Sequence, residues 1–391
     1  MKKPPAGSKK FRRATELANA GREFSEHGMI SPAVYHASTI LFPTTEALLA
    51  RKQPYLYGRR GTPTVRALEK AIAVLERGHD AKICGSGLAA VTTALLAFLK
   101  SGDHLLMTDA VYAPARHFCD TLLKDYGIET TYYDPVIGAG IANLIRDNTR
   151  VVYCESPGSQ TMEVQDVPAI AAAAHARNCI VILDNTWSGG LYFDAFGNGC
   201  DVSVHAATKY ISGHSDVMMG AVTCTETAWP RLAEAHGTLG QHAAPDDVFL
   251  TLRGLRTIEV RLERQMRSAL SVAEWLRSRK EVAEVLYPAL PGAPGHGIWR
   301  RDFSGASGLF SIVLAPFSDA AVARMLDGLE LFGMGYSWGG FDSLAVPFKP
   351  HRTAKPWTAP GPAIRLHIGL EDPQDLIADL EAGLVRLNEG A

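Results

Sequence analysis

What this chain of 391 residues lacks narrows its class first. No stretch holds the ~18 consecutive apolar residues that a membrane helix needs, and the run TALLAFLK at 93–100 reads as a buried helix. Charge of one sign is lacking too: 39 Lys and Arg stand against 41 Asp and Glu, a net charge of −2. Composition thus gives no ground for a nucleic-acid or membrane partner. The six cysteines include no CxxC pair and no metal-ligand spacing, so reduced thiols in a cytoplasmic protein are the expectation. His36, His205 and His214 are not at metal spacing either, and no metal is expected. A basic start, with Lys2, Lys3, Lys9, Lys10, Arg12 and Arg13, is followed by no apolar run. That excludes an ordinary signal peptide and predicts a disordered basic tail.

What is present fits a globular enzyme of two or three domains, with 47% hydrophobic and 20% charged residues. Residues 1–54 show no core of their own: a possible helix near 15–20, then the extended passage SPAVYHASTILFP. They read as an arm that packs on something else, a second subunit being one candidate. From 55 to 255, apolar runs (AKIC, HLLMTD, TTYYD, RVVYCES, CIVILDN, VSVHAATK, GAVTC) alternate with helical stretches (TVRALEKAIAVLE, GLAAVTTALLAFLK, AIAAAAHARN). This predicts an α/β domain, a mostly parallel sheet with helices on both faces. A helical passage over 248–280, its charges on a period that suits an exposed face, leads into a smaller α+β domain over 256–391. There GLFSIVLA alternates like a strand, DAAVARMLDGL reads as a helix, AIRLHIGL as a strand and PQDLIADLEAGLVRLN as the closing helix.

The chemistry centres on 179–216. One apolar run ends in Asp184, and a second leads through Ala206, Ala207 and Thr208 to Lys209. In open α/β sheets, ligands sit beyond the carboxyl ends of the strands. A lysine facing an aspartate there suits pyridoxal phosphate (PLP): the amine forms a Schiff base with the aldehyde, and the carboxylate keeps the pyridine nitrogen protonated. The turn Cys84-Gly85-Ser86-Gly87-Leu88 opens a helix whose free N–H groups could take an anion. Tyr57, Arg59 and Arg60 lie in a turn that fits either a solvated basic loop or a site for phosphate and carboxylate. Tyr112, just after a strand, is either a packing residue or a ring-stacking one. Arg365 sits inside an alternating strand, on its polar face or as an anion clamp.

The motifs DNTWSGG, SVHAATKYISGHSD, ESPGSQTMEVQDVP, YGRRGTPT and YSWGGFDSL, several and ordered, together resemble the Cys/Met-metabolism family of PLP enzymes, above all its bacterial cystathionine β-lyases. The resemblance runs from about Tyr35 to the LHIGLEDPQDLIADLEAG segment. It implies the fold-type-I architecture of PLP-dependent transferases, with a seven-stranded sheet. It implies Lys209, Asp184 and Tyr112 as the catalytic and cofactor-holding groups. Gly87, Leu88 and Thr208 would hold the phosphate, joined by Tyr57 and Arg59 of a neighbouring subunit within a tetramer built as a dimer of dimers. Arg365 would clamp the substrate α-carboxylate, Ser337 and Trp338 would line the same side, and Arg60 would meet the distal end. One departure is Ala206, where many relatives carry a serine that bonds the phosphate.

The reaction implied is β-elimination of L-cystathionine to homocysteine, pyruvate and ammonia, a step of methionine biosynthesis, with other cysteine S-conjugates as further substrates. The alternative is a γ-lyase or γ-synthase reaction of the same family. Many γ-type relatives read Glu-Ser-Leu-Gly-Gly where this chain has Tyr336-Ser337-Trp338-Gly339-Gly340, which favours β-elimination. A PLP-binding regulator without turnover is disfavoured, because no DNA-binding pattern accompanies the catalytic set.

Overall fold

Strands form where the apolar runs are short and sharply bounded. The computed structural model describes residues 11–389. Seven strands build the larger sheet: β1 (Asp80–Cys84), β2 (His104–Thr108), β3 (Glu129–Tyr133), β4 (Thr149–Glu155), β5 (Ile180–Asp184), β6 (Val202–His205) and β7 (Gly220–Cys224), in the order β1-β7-β6-β5-β4-β2-β3. β7 alone runs against its neighbours, pairing antiparallel with both β1 and β6. Every residue of β2, β6 and β7 is buried, as a sheet covered on both faces requires. Local signals place the covering helices. Pro63–Glu76 starts with Pro in its first turn, and Thr62 accepts from the Val65 N–H; Val167–His175 is capped by Asp166, which accepts from Ala169.

The helical passage expected over 248–280 is two helices, Pro245–Leu255 and Ile258–Arg277, and the expected domain boundary at 255/256 falls in the break between them. The second helix does not keep all its polar residues outside: Arg261 and Gln265 lie on the buried stripe. Arg261 is held there by carbonyls of Gly254 and Ile211. Beyond it, β8 (Val282–Leu286), β9 (Leu309–Leu314), β10 (Leu344–Phe348) and β11 (Ala363–His367) form an antiparallel sheet ordered β10-β11-β9-β8. β9, expected to alternate, is a central strand buried at every residue, as a strand covered on both faces must be. One apolar cluster runs from the Val167–His175 helix through Ile258–Arg277 into this sheet, so the two parts share a core.

The N-terminal arm is partly docked. Lys2, Lys3, Lys9 and Lys10 of the expected basic tail lie outside the described residues. Arg13, assigned to that tail, instead starts the helix Arg13–Asn19, and its guanidinium binds the carbonyls of Leu75, Gly190 and Leu191. Leu17 buries beside it.

Candidate active site

Asp184 and Lys209 both leave the C-terminal edge of the larger sheet, from neighbouring parallel strands. Asp184 closes β5, opposite Val204 of β6, and Lys209 lies in the loop that follows β6. Asp184 is buried and accepts the Thr186 N–H at 3.0 Å. Burial pushes its carboxyl up, against the Thr186 hydrogen bonds and nearby His205. Lys209 Nζ donates to Ser337 Oγ at 2.6 Å and lies 5.3 Å from the Trp338 ring centroid. Burial lowers this amine to about 8, with Arg365 adding to the effect and Asp184 opposing it. An amine so placed is available in its neutral form near neutral pH, as a nucleophile and base must be.

Ser337 joins two functional groups. Its hydroxyl takes the Lys209 hydrogen bond, and its carbonyl accepts from Arg365 Nη2 at 3.0 Å. Its φ of +83° lies in the left-handed region that side chains rarely adopt, so the loop holds it there against local preference. Two residues on, the Gly339 N–H donates to His367 Nε2 at 3.1 Å; burial drives that imidazole down to about 4 and keeps it neutral. Arg365 sits in mid-β11, between Ser311 and Val346. Among the described residues no carboxylate pairs with its guanidinium, which leaves a planar fork able to take one.

Tyr112 stands where β2 gives way to the helix Ala113–Phe118, and its N–H donates to Glu155 Oε2 at 2.8 Å. Burial, then Glu155 and Asp184, push its phenol up, and Arg365 opposes them, so the ring lies within electrostatic reach of all three. Glu155 ends β4 in register with Asp184. Its carboxyl is pushed well up by burial first and Asp184 second. Burial beside a second carboxyl thus favours the protonated form of Glu155.

The anion cup is the start of the helix Gly87–Phe98. Ser86 caps it by accepting the Ala89 N–H at 3.1 Å, and among the described residues the Gly87 and Leu88 N–H groups have no partner. A Cβ on Gly87 would lie 2.6 Å from the Ala206 Cβ, so the Ala206 loop closes against the cup. Ala206 brings no hydroxyl; its N–H donates to Thr186 Oγ1 at 2.9 Å. The Thr208 hydroxyl is engaged by Met219, accepting its N–H at 2.8 Å and donating to its carbonyl at 3.1 Å.

Within one chain, Tyr57, Arg59 and Arg60 do not join this group. Arg59 Nη1 donates to the Gly237 carbonyl at 2.8 Å, Arg60 packs against Gly237, and Tyr57 is 48% exposed. Among the described residues none of the three bonds to Lys209 or Asp184.

Two site residues went unread in the sequence. Glu155 had a signal: β4 and β5 both close on an acid, and adjacent parallel strands bring such ends together. Asp109, the acid that closes HLLMTD, had a similar one. It accepts the N–H groups of Thr353, Ala354 and Lys355 at 3.0, 2.9 and 3.2 Å, and Arg116 Nη2 at 2.5 Å. It thus staples the smaller domain to the Tyr112 turn.

These features fit one cofactor. An amine lowered to about 8, and a buried carboxylate and an open helix start that have no ion-pair or hydrogen-bonded side-chain cation among the described residues, match the aldehyde, ring nitrogen and phosphate of PLP. Sheet order and site together define a PLP-dependent enzyme. The chain belongs to the Cys/Met metabolism PLP-dependent enzyme family, whose model matches residues 14–385.

It is 44% identical over 387 residues to the Escherichia coli protein named cystathionine β-lyase MetC, covering 95% of this chain and 98% of that one. A Wolbachia pipientis relative named L-alanine/L-glutamate racemase is 40% identical, with 95% and 96% covered. Among solved structures, cystathionine γ-synthase from Xanthomonas oryzae, in complex with aminoacrylate and cysteine, superposes with a TM-score of 0.90 at 29% identity, covering 98% of this chain and all of that one.

Proposed function

We propose that this protein is a carbon–sulfur lyase that cleaves L-cystathionine by β-elimination. With one water consumed, the products are homocysteine, pyruvate and ammonia, a step of methionine biosynthesis. The observation that carries this is the Ser337 junction, where the amine of Lys209 and the guanidinium of Arg365 are held by one residue. It sets a base and a carboxylate clamp side by side. The 44% identity to a named cystathionine β-lyase supports the substrate.

PLP held at Lys209, Asp184 and the Gly87–Leu88 cup supplies a sink for the electron pair left when the Cα proton departs. The chain's own groups do the rest. Arg365 binds the α-carboxylate in a bidentate grip and fixes which Cα bond faces Lys209. The neutral Lys209 amine takes the Cα proton at Nζ and returns it to the departing sulfur. Asp184 stays ionised to hold the proton on the ring nitrogen. Tyr112 would stack on the cofactor ring, and Trp338, its ring 5.3 Å from the Lys209 amine, would shield that side from water. The Gly87 and Leu88 N–H groups would carry the phosphate, and the Thr208 hydroxyl would join them by turning its proton from the Met219 carbonyl.

Product analysis is the test. Purified enzyme fed L-cystathionine should release pyruvate; 2-oxobutyrate would instead mean γ-cleavage, and D-alanine from L-alanine without pyruvate from cystathionine would mean a racemase. The absence of an acid at Tyr336-Ser337-Trp338 favours pyruvate, since γ-chemistry needs a second deprotonation, at Cβ.

The assembly proposed is a cytoplasmic homotetramer, a dimer of dimers with shared sites. Among the described residues no helix is long and apolar enough to cross a membrane, and all six cysteines are unpaired. The arm exposes Met29, Ile30, Leu41 and Leu49, apolar surface that a second copy would cover. Tyr57 and Arg59 would then reach the phosphate of the partner's cofactor, and Arg60 the distal end of the partner's substrate. Lys209→Ala and Arg59→Ala should each be nearly inactive. Hybrid dimers of the two carry both lesions in one site and neither in the other, so they should recover up to about half of the activity per dimer. Purified, correctly assembled hybrids as inactive as their parents would place Arg59 in its own subunit's service.

A further inference from the structure

A buried ion pair stands behind the residues that face the cofactor. Glu76, the last residue of the helix Pro63–Glu76, accepts from His205 Nε2 at 2.7 Å, with side-chain exposures of 0% and 1%. The same carboxylate accepts from Asn185 Nδ2, at 3.3 Å to each oxygen. Asn185 Oδ1 in turn takes the Ser188 hydroxyl at 2.5 Å. The Gly190 turn, at φ +69°, closes over the carboxylate so tightly that a Cβ there would lie 2.0 Å from Glu76 Oε1. Water has no place beside it.

The partners of Glu76 are not arbitrary. Asn185 directly follows Asp184, and His205 ends the strand that leads to Lys209. One carboxylate therefore ties together the exits of the two strands that carry the two main catalytic groups. The Asn185 N–H donates to the Val204 carbonyl at 3.0 Å, which keeps the exits zipped one step beyond the paired registers.

A lone buried carboxylate would give up its charge. Here burial works against both charges, yet His205 holds Glu76 below the usual carboxylate range, and Glu76, with Asp184 behind it, raises His205. The imidazolium is the end of the pair nearer to Asp184: His205 acts on the Asp184 carboxyl, and Asp184 on His205. Among the described residues, the other charged or titratable groups around this unit are Arg13 and Cys200 on the Glu76 side, and Tyr153, Glu155, Tyr112 and Lys209 around Asp184. Asp184 pushes the Glu155 carboxyl up, and His205 supports the Asp184 charge.

We propose that Glu76 and His205 form a positioning unit for Asp184: the buried pair keeps an imidazolium behind the β5–β6 exits, so that Asp184 remains ionised beside Glu155 and holds its place at the cofactor ring nitrogen. This rests on the assignment of Asp184 to that nitrogen.

The test uses full-length enzyme and the variants Glu76→Gln, Glu76→Gln/His205→Gln, Asp184→Asn and Asp184→Asn/Glu76→Gln. Four quantities are read: the PLP dissociation constant by absorbance titration of the cofactor-free protein, the pH midpoint of the bound cofactor's absorbance, kcat and KM, and the Tm of the cofactor-free protein. Glu76→Gln should weaken PLP about tenfold, the weight of one unit in pKa, shift the absorbance midpoint and lower kcat with KM unchanged. The double glutamine variant keeps a neutral hydrogen-bonded link. It should regain Tm but not affinity or midpoint, which a merely structural pair would regain together. In the Asp184→Asn background, Glu76→Gln should add little, because the group it serves is gone.

A folded Glu76→Gln enzyme with wild-type affinity and midpoint overturns the proposal. If Asp184→Asn alone leaves both unchanged, the assignment of Asp184 itself fails, a separate result. Should the Glu76 variants not fold, ¹⁵N-histidine NMR of the wild-type cofactor-free protein decides: an imidazolium signal for His205 at pH 8 supports the unit, and a neutral ring overturns it.

Discussion

Lys209→Ala should abolish turnover of cystathionine while leaving the protein folded. Ser337 holds this amine in the cleft, and under the proposed mechanism its removal takes away both the covalent anchor of the cofactor and the proton carrier. General acid–base loss alone is worth about 10²–10⁴-fold, and loss of the covalent link adds to it. Two measurements check this. Steady-state pyruvate release should fall to background, and borohydride should no longer fix PLP to the peptide that contains residue 209. A variant that turned over near the wild-type rate would move the base elsewhere. Little stability should be lost, because in the cofactor-free chain Lys209 makes one side-chain hydrogen bond, to Ser337, and carries a burial penalty.

The second large effect is expected at Arg365. Arg365→Leu removes the fork and leaves the substrate carboxylate without its partner in a largely dehydrated pocket. The cost should be on the order of 2–5 kcal/mol in kcat/KM, roughly 30- to 4,000-fold at 1.4 kcal/mol per factor of ten. Resting cofactor absorbance should hardly change, since Arg365 bonds to Ser337 and to none of the cup residues. A large loss of bound PLP would instead make this arginine a cofactor ligand. The amine gives a further readout. Arg365 is one of the two charges acting on Lys209, and it pushes the pKa down. Its removal should therefore raise the pKa of the free amine in the cofactor-free protein, moving reaction with an amine-selective reagent to higher pH.

The larger sheet was legible because its strands are short apolar runs separated by helices of clear period, and a parallel sheet needs such runs. Asp184 and Lys209 were legible as candidates because one closes a strand and the other lies in the loop after the next, and strand ends are where such folds put chemistry. Elsewhere the sequence was mute for physical reasons. β10 contains Pro347 and has no alternating pattern, and it exists because β11 offers it a ladder. Arg261 looked like an outward charge, since nothing local announces that backbone carbonyls will receive it inside. Arg13 looked like part of a basic tail, yet it reaches carbonyls 62 and 177 residues away. The twofold use of Ser337 depends on a backbone conformation that no serine signals.

The Asp109 staple has a bearing on how the enzyme is made. Its three backbone donors lie 244 to 246 residues downstream. At ribosomal rates of ~5–20 residues per second, they emerge roughly 10 to 50 s after Asp109 itself. Until then the carboxylate has Arg116 alone. A growing chain can therefore hold Lys209 and Asp184 in a sheet that is already paired, with the turn that carries Tyr112 still untethered and Arg365 not yet synthesised. The lysine is placed early, and the parts that lower its pKa and make it selective, Arg365 among them, are fastened last. Nascent chains stalled before residue 353 should behave as cofactor traps without substrate discrimination, so completion of the C-terminal sheet is also a quality gate on chemistry.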